Sequence, residues 1–341
     1  MIYSWTNNID NSLHLSIITH INFVDFYVEL QMKNKITSEE RRKLVEERLP
    51  YFYKMMESCR LCPRKCGVNR LKGEKGFCRT TDKIKIASWA QHHGEEPPIT
   101  GQNGSGAIFP SCCTLACKFC QNFPFSQLDN GVFMTPQELA KKYDYIAKKG
   151  VHNINFVTPT HVLPMLLDAW LNAEPETQKL PLVYNCSGYE TDEVLDLLDG
   201  IIDIYLPDIK YSNNKPAGQL SSCGNYVEEN RRTLKKMFEQ VGLLQIDENT
   251  ELATKGMIVR HLILPNDLAG SKDSLIWLRS ELGADINVSI MCQYFPAYKV
   301  HGDPVLGREI TADEYMPVLE LVEELGFNNV LAQDPTDRGG A

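Results

Sequence analysis

The sequence predicts an α/β fold built on an incomplete (β/α)6 barrel, with a cysteine-rich extension on its N-terminal side. Three observations carry this expectation. From about residue 105, short β-branched runs alternate with helical stretches, the pattern of parallel βαβ units. The ends of those runs carry polar residues, and the ligand site of a parallel sheet or barrel lies at the carboxyl ends of its strands. Seven of the eleven cysteines fall in two groups, one before this region and one directly after its first run.

Residues 1 to 37 show no motif and read as a loosely packed or variable extension. A charged helix is expected over Ser38 to Glu47, with Ser38 as N-cap and Arg41 and Arg42 on its exposed side. Six strands are expected, over Gly106 to Phe109, Ile154 to Thr158, Leu182 to Asn185, Ile202 to Leu206, Gly256 to Leu264 and Asn287 to Cys292. Helices between them begin near Pro136, Leu163, Thr191, Asn225 and Ser271, and a last helix covers Ala312 to Leu325. Pro136 after Thr135, with Glu138 in the first turn, is a strong start signal, because proline suits the first helical position and threonine caps. Six strands leave a barrel open on one side, which admits a large substrate. The expected organisation is an extension over 1–50, a four-cysteine segment over 51–104 and the partial barrel over 105–341.

A chain of 341 residues with 43% apolar content can bury the core of one large domain plus an appendage. Its formal charge of −9 argues against generic nucleic-acid binding, which needs a basic face for phosphates. Locally the balance reverses. Arg60, Arg64, Lys65, Arg70, Lys72, Lys75, Arg79, Lys83 and Lys85 stand against Glu74 and Asp82 alone. The chain is too long for a small disulfide-stapled secreted domain, so a reducing, cytoplasmic setting is expected. The apolar stretches Leu13 to Ile21 and Phe23 to Leu30 are interrupted by His14, His20, Asn22 and Asp25, so neither a signal peptide nor a membrane span is expected.

Cys113, Cys117 and Cys120 are separated by three and then two residues, with no fourth cysteine in register behind them. Four-iron clusters are held by cysteine thiolates and usually take four, so a three-cysteine loop leaves one iron for another ligand. The plain alternative is a zinc knuckle or a chance grouping in a cysteine-rich chain. Phe119, between the last two thiols, is placed to shield a cluster or flank a cofactor.

The strand ends supply further candidates: Thr158-Pro159-Thr160-His161, Asn185-Cys186-Ser187-Gly188, Pro207-Asp208-Ile209-Lys210, Arg260-His261 within the fifth strand, and Gln293-Tyr294 after the sixth. Each has an ordinary structural explanation as well, a turn or a buried ion pair. Asp208 and Lys210 lie two apart and face one side of a strand, where they can pair with each other. Arg260 interrupts an apolar strand and is costly there unless it meets a carboxylate, Asp208 or one from a ligand.

The run Cys113-Thr-Leu-Ala-Cys117-Lys-Phe-Cys120 followed by Gln121-Asn122 resembles the radical S-adenosylmethionine (SAM) superfamily, whose core is a partial TIM-type barrel. With Asp208-Ile-Lys210 and the strand from Arg260 to Pro265, it is similar to the activating enzymes of glycyl radical enzymes. Cys59-Arg-Leu-Cys62-Pro-Arg-Lys-Cys66 through Cys78, with Gly94-Glu95-Glu96-Pro97, resembles the PflX-like branch, and the resemblance covers about residues 55 to 335. It implies a [4Fe-4S] cluster on Cys113, Cys117 and Cys120 with SAM on the open iron, an oxidoreductase of the activase type, and a reducing partner such as flavodoxin or ferredoxin. It further implies that Phe119, Thr158, Thr160, His161, Asn185, Ser187, Asp208, Lys210, Arg260 and Gln293 bind the cofactor, with Lys210 and Arg260 nearest the chemistry. Two positions depart from the activase pattern: His161 stands in place of a glutamate, and Asn185 in place of an aspartate. Reductive cleavage of SAM would yield methionine and a 5′-deoxyadenosyl radical that takes hydrogen from an unidentified protein or small-molecule substrate.

Cys59, Cys62, Cys66 and Cys78 form a complete four-thiolate set, spaced by two, three and eleven residues. Such a set closes a structural zinc site and equally holds a second iron-sulfur cluster. Cys112, Cys186, Cys223 and Cys292 stand outside both sets and read as small apolar fillers. The competing functional class is a zinc-dependent protein or RNA binding module that uses the basic segment, with an inactive barrel.

Overall fold

The computed structural model describes residues 36–333, so nearly all of the extension expected over residues 1 to 37 lies outside the described residues. The first element is helix α1 (Ser38–Met55). Its N-cap is Thr37, one residue earlier than expected: the Thr37 hydroxyl accepts from the Glu40 N–H at 3.2 Å, and the Glu40 carboxylate accepts from the Thr37 N–H at 2.7 Å. This reciprocal capping box satisfies two amides that the helix leaves open. The helix continues past Pro50 to Met55 because Phe52 and Met55 are buried beneath it.

Arg41 does not face solvent as expected. It is 3% exposed, and its guanidinium donates to Asp203 Oδ1 at 2.6 Å and to the Leu180 carbonyl at 3.1 Å. Asp203 also accepts from the Leu182 N–H at 2.7 Å, so one buried ion pair fastens α1 to the points where two strands begin. A helix considered alone assigns arginine to the wet face; here a carboxylate 162 positions away reaches it.

Ten strands follow: β1 (Ile84–His92), β2 (Ser105–Pro110), β3 (Val132–Met134), β4 (Ile154–Val157), β5 (Leu182–Cys186), β6 (Ile204–Pro207), β7 (Gln245–Ile246), β8 (Ala253–Leu262), β9 (Asn287–Met291) and β10 (Asn329–Ala332). Nine lie on one path, β10-β9-β8-β6-β5-β4-β2-β1-β3, with β7 paired to β8. From β2 to β10 the neighbours on this path run parallel. The ends of the path, β10 and β3, do not pair, so the sheet is an open, partial barrel. All six expected strands are present in the expected order. Two features were not legible: β10, four partly exposed residues, adds a parallel strand at one edge, and β1 with β3 forms an antiparallel edge at the other.

The crossover helices are α2 (Pro136–Ala147), α3 (Leu163–Leu171), α4 (Asp192–Leu198), α5 (Asn214–Ser221), α6 (Tyr226–Val241), α7 (Ser271–Leu282) and α8 (Ala312–Glu324). Thr135 caps α2 in a second capping box with Glu138. The described residues form a single compact unit; α1 runs across residue 50, and β1 pairs with β2 across residue 104. Inside the barrel Val183, Ile204, Leu206, Ala253 and Ile258 pack around Ile99. Ile99 belongs to the short helical turn Pro97–Thr100 that joins β1 to β2, and since β1 runs antiparallel this turn plugs the end of the barrel where the parallel strands begin. No helix among the described residues is long and apolar enough to cross a membrane.

Candidate functional site

β2 delivers the chain to the carboxyl end of the sheet at Pro110, and Cys112 turns it with a left-handed φ of 73° into the three-cysteine loop. The loop is pinned to the end of α5: the Ala116 N–H donates to the Ser221 carbonyl at 3.1 Å and the Lys118 N–H to the Leu220 carbonyl at 2.8 Å. Cys117 is buried, while Cys113 and Cys120 are partly exposed. Each thiol has a polar neighbour: the Ser221 hydroxyl donates to Cys117 Sγ at 2.9 Å, the Leu115 N–H donates to Cys113 Sγ at 3.3 Å, and Ser126 Oγ lies 3.1 Å from Cys120 Sγ. Burial pushes the Cys113 thiol up to about 12 and Cys117 up to about 11, and the Lys210 ammonium works against that rise in both. Phe119 is buried beside them, its ring 5.8 Å from that of Tyr294.

Among the described residues no three His, Cys, Asp or Glu side chains converge on one point as a single ion requires. A four-iron cluster spreads its thiolates around several metal atoms, so the donor set here, three thiols on one loop with N–H and O–H groups and a cation beside them, fits that group.

Directly inside the barrel lies a layer of polar side chains. Arg260, on β8, uses every arm: Nε donates to Asp208 Oδ1 at 3.0 Å, one terminal nitrogen to Glu95 Oε2 at 3.3 Å and the other to Asn185 Oδ1 at 2.5 Å. Lys210 Nζ donates to the second Asp208 oxygen at 2.5 Å. Asn155, from β4, donates to Glu95 Oε1 at 3.0 Å. Burial drives the Asp208 carboxyl upward, but Lys210 and Arg260 together hold it below its ordinary range. Burial raises Glu95 and Glu96, and in Glu95 it prevails over Arg260 and Asn155.

Of the residues singled out in the sequence, the fold therefore brings Asn185, Asp208, Lys210 and Arg260 into one network, with Lys210 bearing on Cys113 and Cys117. Thr158 adjoins it, with a φ of 55° and its N–H donating to the Asn185 carbonyl at 2.7 Å. Ser187 is buried beside the same strand end, and among the described residues its hydroxyl finds no hydrogen-bond partner. Gln293 is exposed at the rim, its carbonyl accepting from Gln121 Nε2 at 2.7 Å. Thr160 and His161 point elsewhere: the Thr160 hydroxyl donates to Glu190 Oε1 at 2.7 Å, and His161 Nε2 lies 2.8 Å from the Ser111 carbonyl oxygen. Sequence reasoning passed over Asn155 and Ser221, and took Glu95 and Glu96 as part of the family resemblance without assigning them to the site. The available signals were the two consecutive carboxylates before Pro97 and the polar Asn155 inside the apolar run Ile154 to Val157.

The four remaining metal-type cysteines share a pocket. Cys59, Cys62, Cys66 and Cys78 line it together with Arg64, Arg70, Phe77 and His161. Tight loops build it: the Gly67 N–H donates to the Cys59 carbonyl and the Lys65 N–H to the Cys62 carbonyl, both at 3.0 Å. A Cβ at Gly76 would lie 2.8 Å from Cys66 Cβ, so only glycine passes there. Arg70 is 1% exposed, with a terminal nitrogen 3.9 Å from Cys59 Sγ.

Much of the basic segment is occupied within the chain. Arg64 stacks on Phe77 at 3.4 Å and donates to the Thr114 carbonyl at 2.6 Å, inside the three-cysteine loop, and to the Ser222 carbonyl at 2.7 Å. Arg79 donates to the carbonyls of Gln127 at 2.6 Å and Ser126 at 3.1 Å. Arg60 pairs with Glu193 and Lys85 with Asp129. The two cysteine groups are thus clamped against each other.

A model of the family described as the radical SAM superfamily matches residues 108–243. An uncharacterised protein of Methanocaldococcus jannaschii is 31% identical over 287 residues, spanning 80% of this chain and 77% of that protein. Among solved structures, SuiB of Streptococcus suis bound to its precursor peptide SuiA is similar at 10% identity and a TM-score of 0.46, over 66% of this chain and 47% of that one. The hydrogenase maturase HydG of Carboxydothermus hydrogenoformans is similar at 11% identity and a TM-score of 0.46, over 94% of this chain and 68% of that one. The chain spans about half the length of SuiB.

Proposed function

Because the chain belongs to the radical SAM superfamily, we propose that it reductively cleaves SAM at a [4Fe-4S] cluster held by Cys113, Cys117 and Cys120 and abstracts hydrogen from a protein or small-molecule substrate. The observation that carries this reading is the adjacency of three thiols at the carboxyl end of β2 to the buried Lys210–Asp208–Arg260 network. When bound on Cys113, Cys117 and Cys120, the cluster would supply the electron for reductive cleavage of SAM.

The protein's own part is position and dryness. The Ser221 hydroxyl and the Leu115 amide stabilise sulfur charge on Cys117 and Cys113. Lys210 and Arg260 offer cationic arms to an anionic ligand group, while Asp208 and Glu95 hold those arms and suit an ammonium group. Phe119 and Tyr294 close an apolar wall beside Cys117. No side chain is needed as a general acid or base for the cleavage.

Within this reading the chain is an oxidoreductase of the activase type, PflX-like, taking electrons from flavodoxin or ferredoxin in the cytoplasm, with a glycine of a partner enzyme as its protein target. The pocket of Cys59, Cys62, Cys66 and Cys78 carries zinc or an auxiliary cluster. Anaerobic reconstitution followed by dithionite and SAM is expected to release 5′-deoxyadenosine. A properly assembled cluster that releases none sinks the proposal. A colourless, iron-free anaerobic preparation containing only zinc would instead favour a binding module with an inert barrel.

A further inference from the structure

Two arginines of the four-cysteine segment end on backbone carbonyls beside the hydroxyls that serve the thiols of the three-cysteine loop. We propose that Arg64 and Arg79 are positioning residues that hold the hydrogen-bond donors of Cys113, Cys117 and Cys120 in place, so that the four-cysteine segment sets how readily the cluster is reduced; the inference rests on that loop carrying the cluster. Arg64, two residues after Cys62, donates through Nε to the Thr114 carbonyl at 2.6 Å and through a terminal nitrogen to the Ser222 carbonyl at 2.7 Å, with its guanidinium 3.4 Å over the Phe77 ring. One arm thus grips the loop between Cys113 and Cys117. The other grips the residue next to Ser221, whose hydroxyl donates to Cys117 Sγ at 2.9 Å. The Tyr211 hydroxyl lies 2.6 Å from Ser221 Oγ, and since the Ser221 hydrogen is committed to sulfur, the phenol donates. Two hydroxyls in series therefore point at Cys117, each strengthening the other.

Arg79 directly follows Cys78 and does the same on the other side of the loop, donating to the Gln127 carbonyl at 2.6 Å and the Ser126 carbonyl at 3.1 Å. A thiolate only accepts, so the Ser126 hydroxyl, 3.1 Å from Cys120 Sγ, donates to that sulfur when the cluster is bound. The Gln127 side chain links this donor to the remaining one. Its Nε2 donates to Ser126 Oγ at 3.3 Å and to the Leu115 carbonyl at 3.2 Å, and the Leu115 N–H is the donor to Cys113 Sγ. Arg79 itself sits at a left-handed φ of 63°, a conformation that costs any residue but glycine, and what its side chain holds offsets that cost. The two arginines therefore stand behind the donors of all three thiols. Reduction adds negative charge that spreads onto the thiolate sulfurs, where N–H and O–H donors stabilise it. Donors that drift from the sulfurs leave the cluster harder to reduce.

The test is a redox titration of the full chain, reconstituted anaerobically, with the reduced cluster read by electron paramagnetic resonance and the three-cysteine signal identified as the one that added SAM changes. Ser221→Ala and Ser126→Ala are each expected to cut the ratio of reduced to oxidised cluster about tenfold at a given potential, a shift of about 59 mV to more negative values. Arg64→Lys and Arg79→Lys keep the charge but cannot hold two carbonyls at once, and each is expected to shift the potential the same way. Because the arginines act through the serines, Arg64→Lys in a Ser221→Ala chain, and Arg79→Lys in a Ser126→Ala chain, should add less than they do alone. A native potential in either lysine variant, or a shift that adds in full to that of the serine variant, overturns the role of that arginine. Should the lysine variants assemble no cluster, Phe77→Leu, which removes the half-exposed ring under Arg64, decides by the same shift. A native chain that takes up no SAM-responsive cluster removes the enzymatic reading itself. A native cluster that cleaves SAM, with its potential unmoved in the lysine variants, leaves that reading standing and removes only the positioning role.

Discussion

Glu190→Gln is expected to make the protein more stable as pH rises. Glu190 is fully buried between β5 and α4, its two oxygens accepting from the hydroxyls of Thr160 at 2.7 Å and Tyr184 at 3.1 Å. Burial pushes its carboxyl from 4.5 up to about 8, against the pull of those two hydroxyls. The folded protein therefore keeps a proton that the unfolded chain releases. Its stabilising contribution is fully present below about pH 4.5 and is lost as pH rises through 8. Each unit of such a difference is worth about 1.4 kcal/mol, so the ceiling for the whole window is about 5 kcal/mol. Glutamine is neutral throughout and keeps one carbonyl oxygen and one N–H for the same hydroxyls. Urea unfolding of both proteins at several pH values between 5 and 8.5, under reducing conditions, should give a stability difference in favour of Gln that grows with pH. A difference that is flat with pH, or that shrinks as pH rises, would refute the reasoning. The outcome bears on function because Thr160 precedes His161, and this network holds that turn to β5.

Three further outcomes follow from the geometry. Arg41→Met removes the guanidinium that neutralises the buried Asp203 carboxylate and should cost about 3–5 kcal/mol in urea unfolding, the usual penalty for breaking a buried ion pair. Gly76→Ala places a methyl group against Cys66 and should cost about 1–3 kcal/mol; loss of metal from the pocket, measured by elemental analysis, should accompany it. Arg260→Lys cannot reproduce three bonds in three directions, so anaerobic titration should show SAM affinity about 10–100-fold lower, from charge-assisted hydrogen bonds worth about 1.5–3 kcal/mol. Unchanged affinity would remove Arg260 from the binding site.

The order of the parallel strands could be read from the sequence because buried parallel strands are short, largely apolar runs, as in Leu182 to Tyr184 and Met257 to Val259, bounded by turns and helices. β10 escaped notice because its four residues are only partly buried and pair along one edge, so no strong pattern marks them. Arg41 misled for the opposite reason: nothing within α1 distinguishes a charge that will meet a buried carboxylate from one that will meet water. Asp208 and Lys210 stand two apart on one strand end, so their approach follows from local spacing. Glu95 reaches Arg260 across 165 positions, and no short-range pattern reports that contact.

The sequence by itself determined what local spacing and periodicity can specify: three thiols on one turn after the first parallel strand, four more in glycine-bounded loops, and polar groups at strand ends. Tertiary structure alone decided which of these groups meet. The turn between β1 and β2 carries Glu95 into the barrel, where burial makes Arg260 its necessary partner. The same economy of buried charge places Asp203 on Arg41. His161 leaves the barrel interior because the Ser111 carbonyl takes its Nε2, which sets the ring against the four-thiol pocket. Such pairings depend on which distant segment can reach a buried polar atom, and the closing of the sheet settles that.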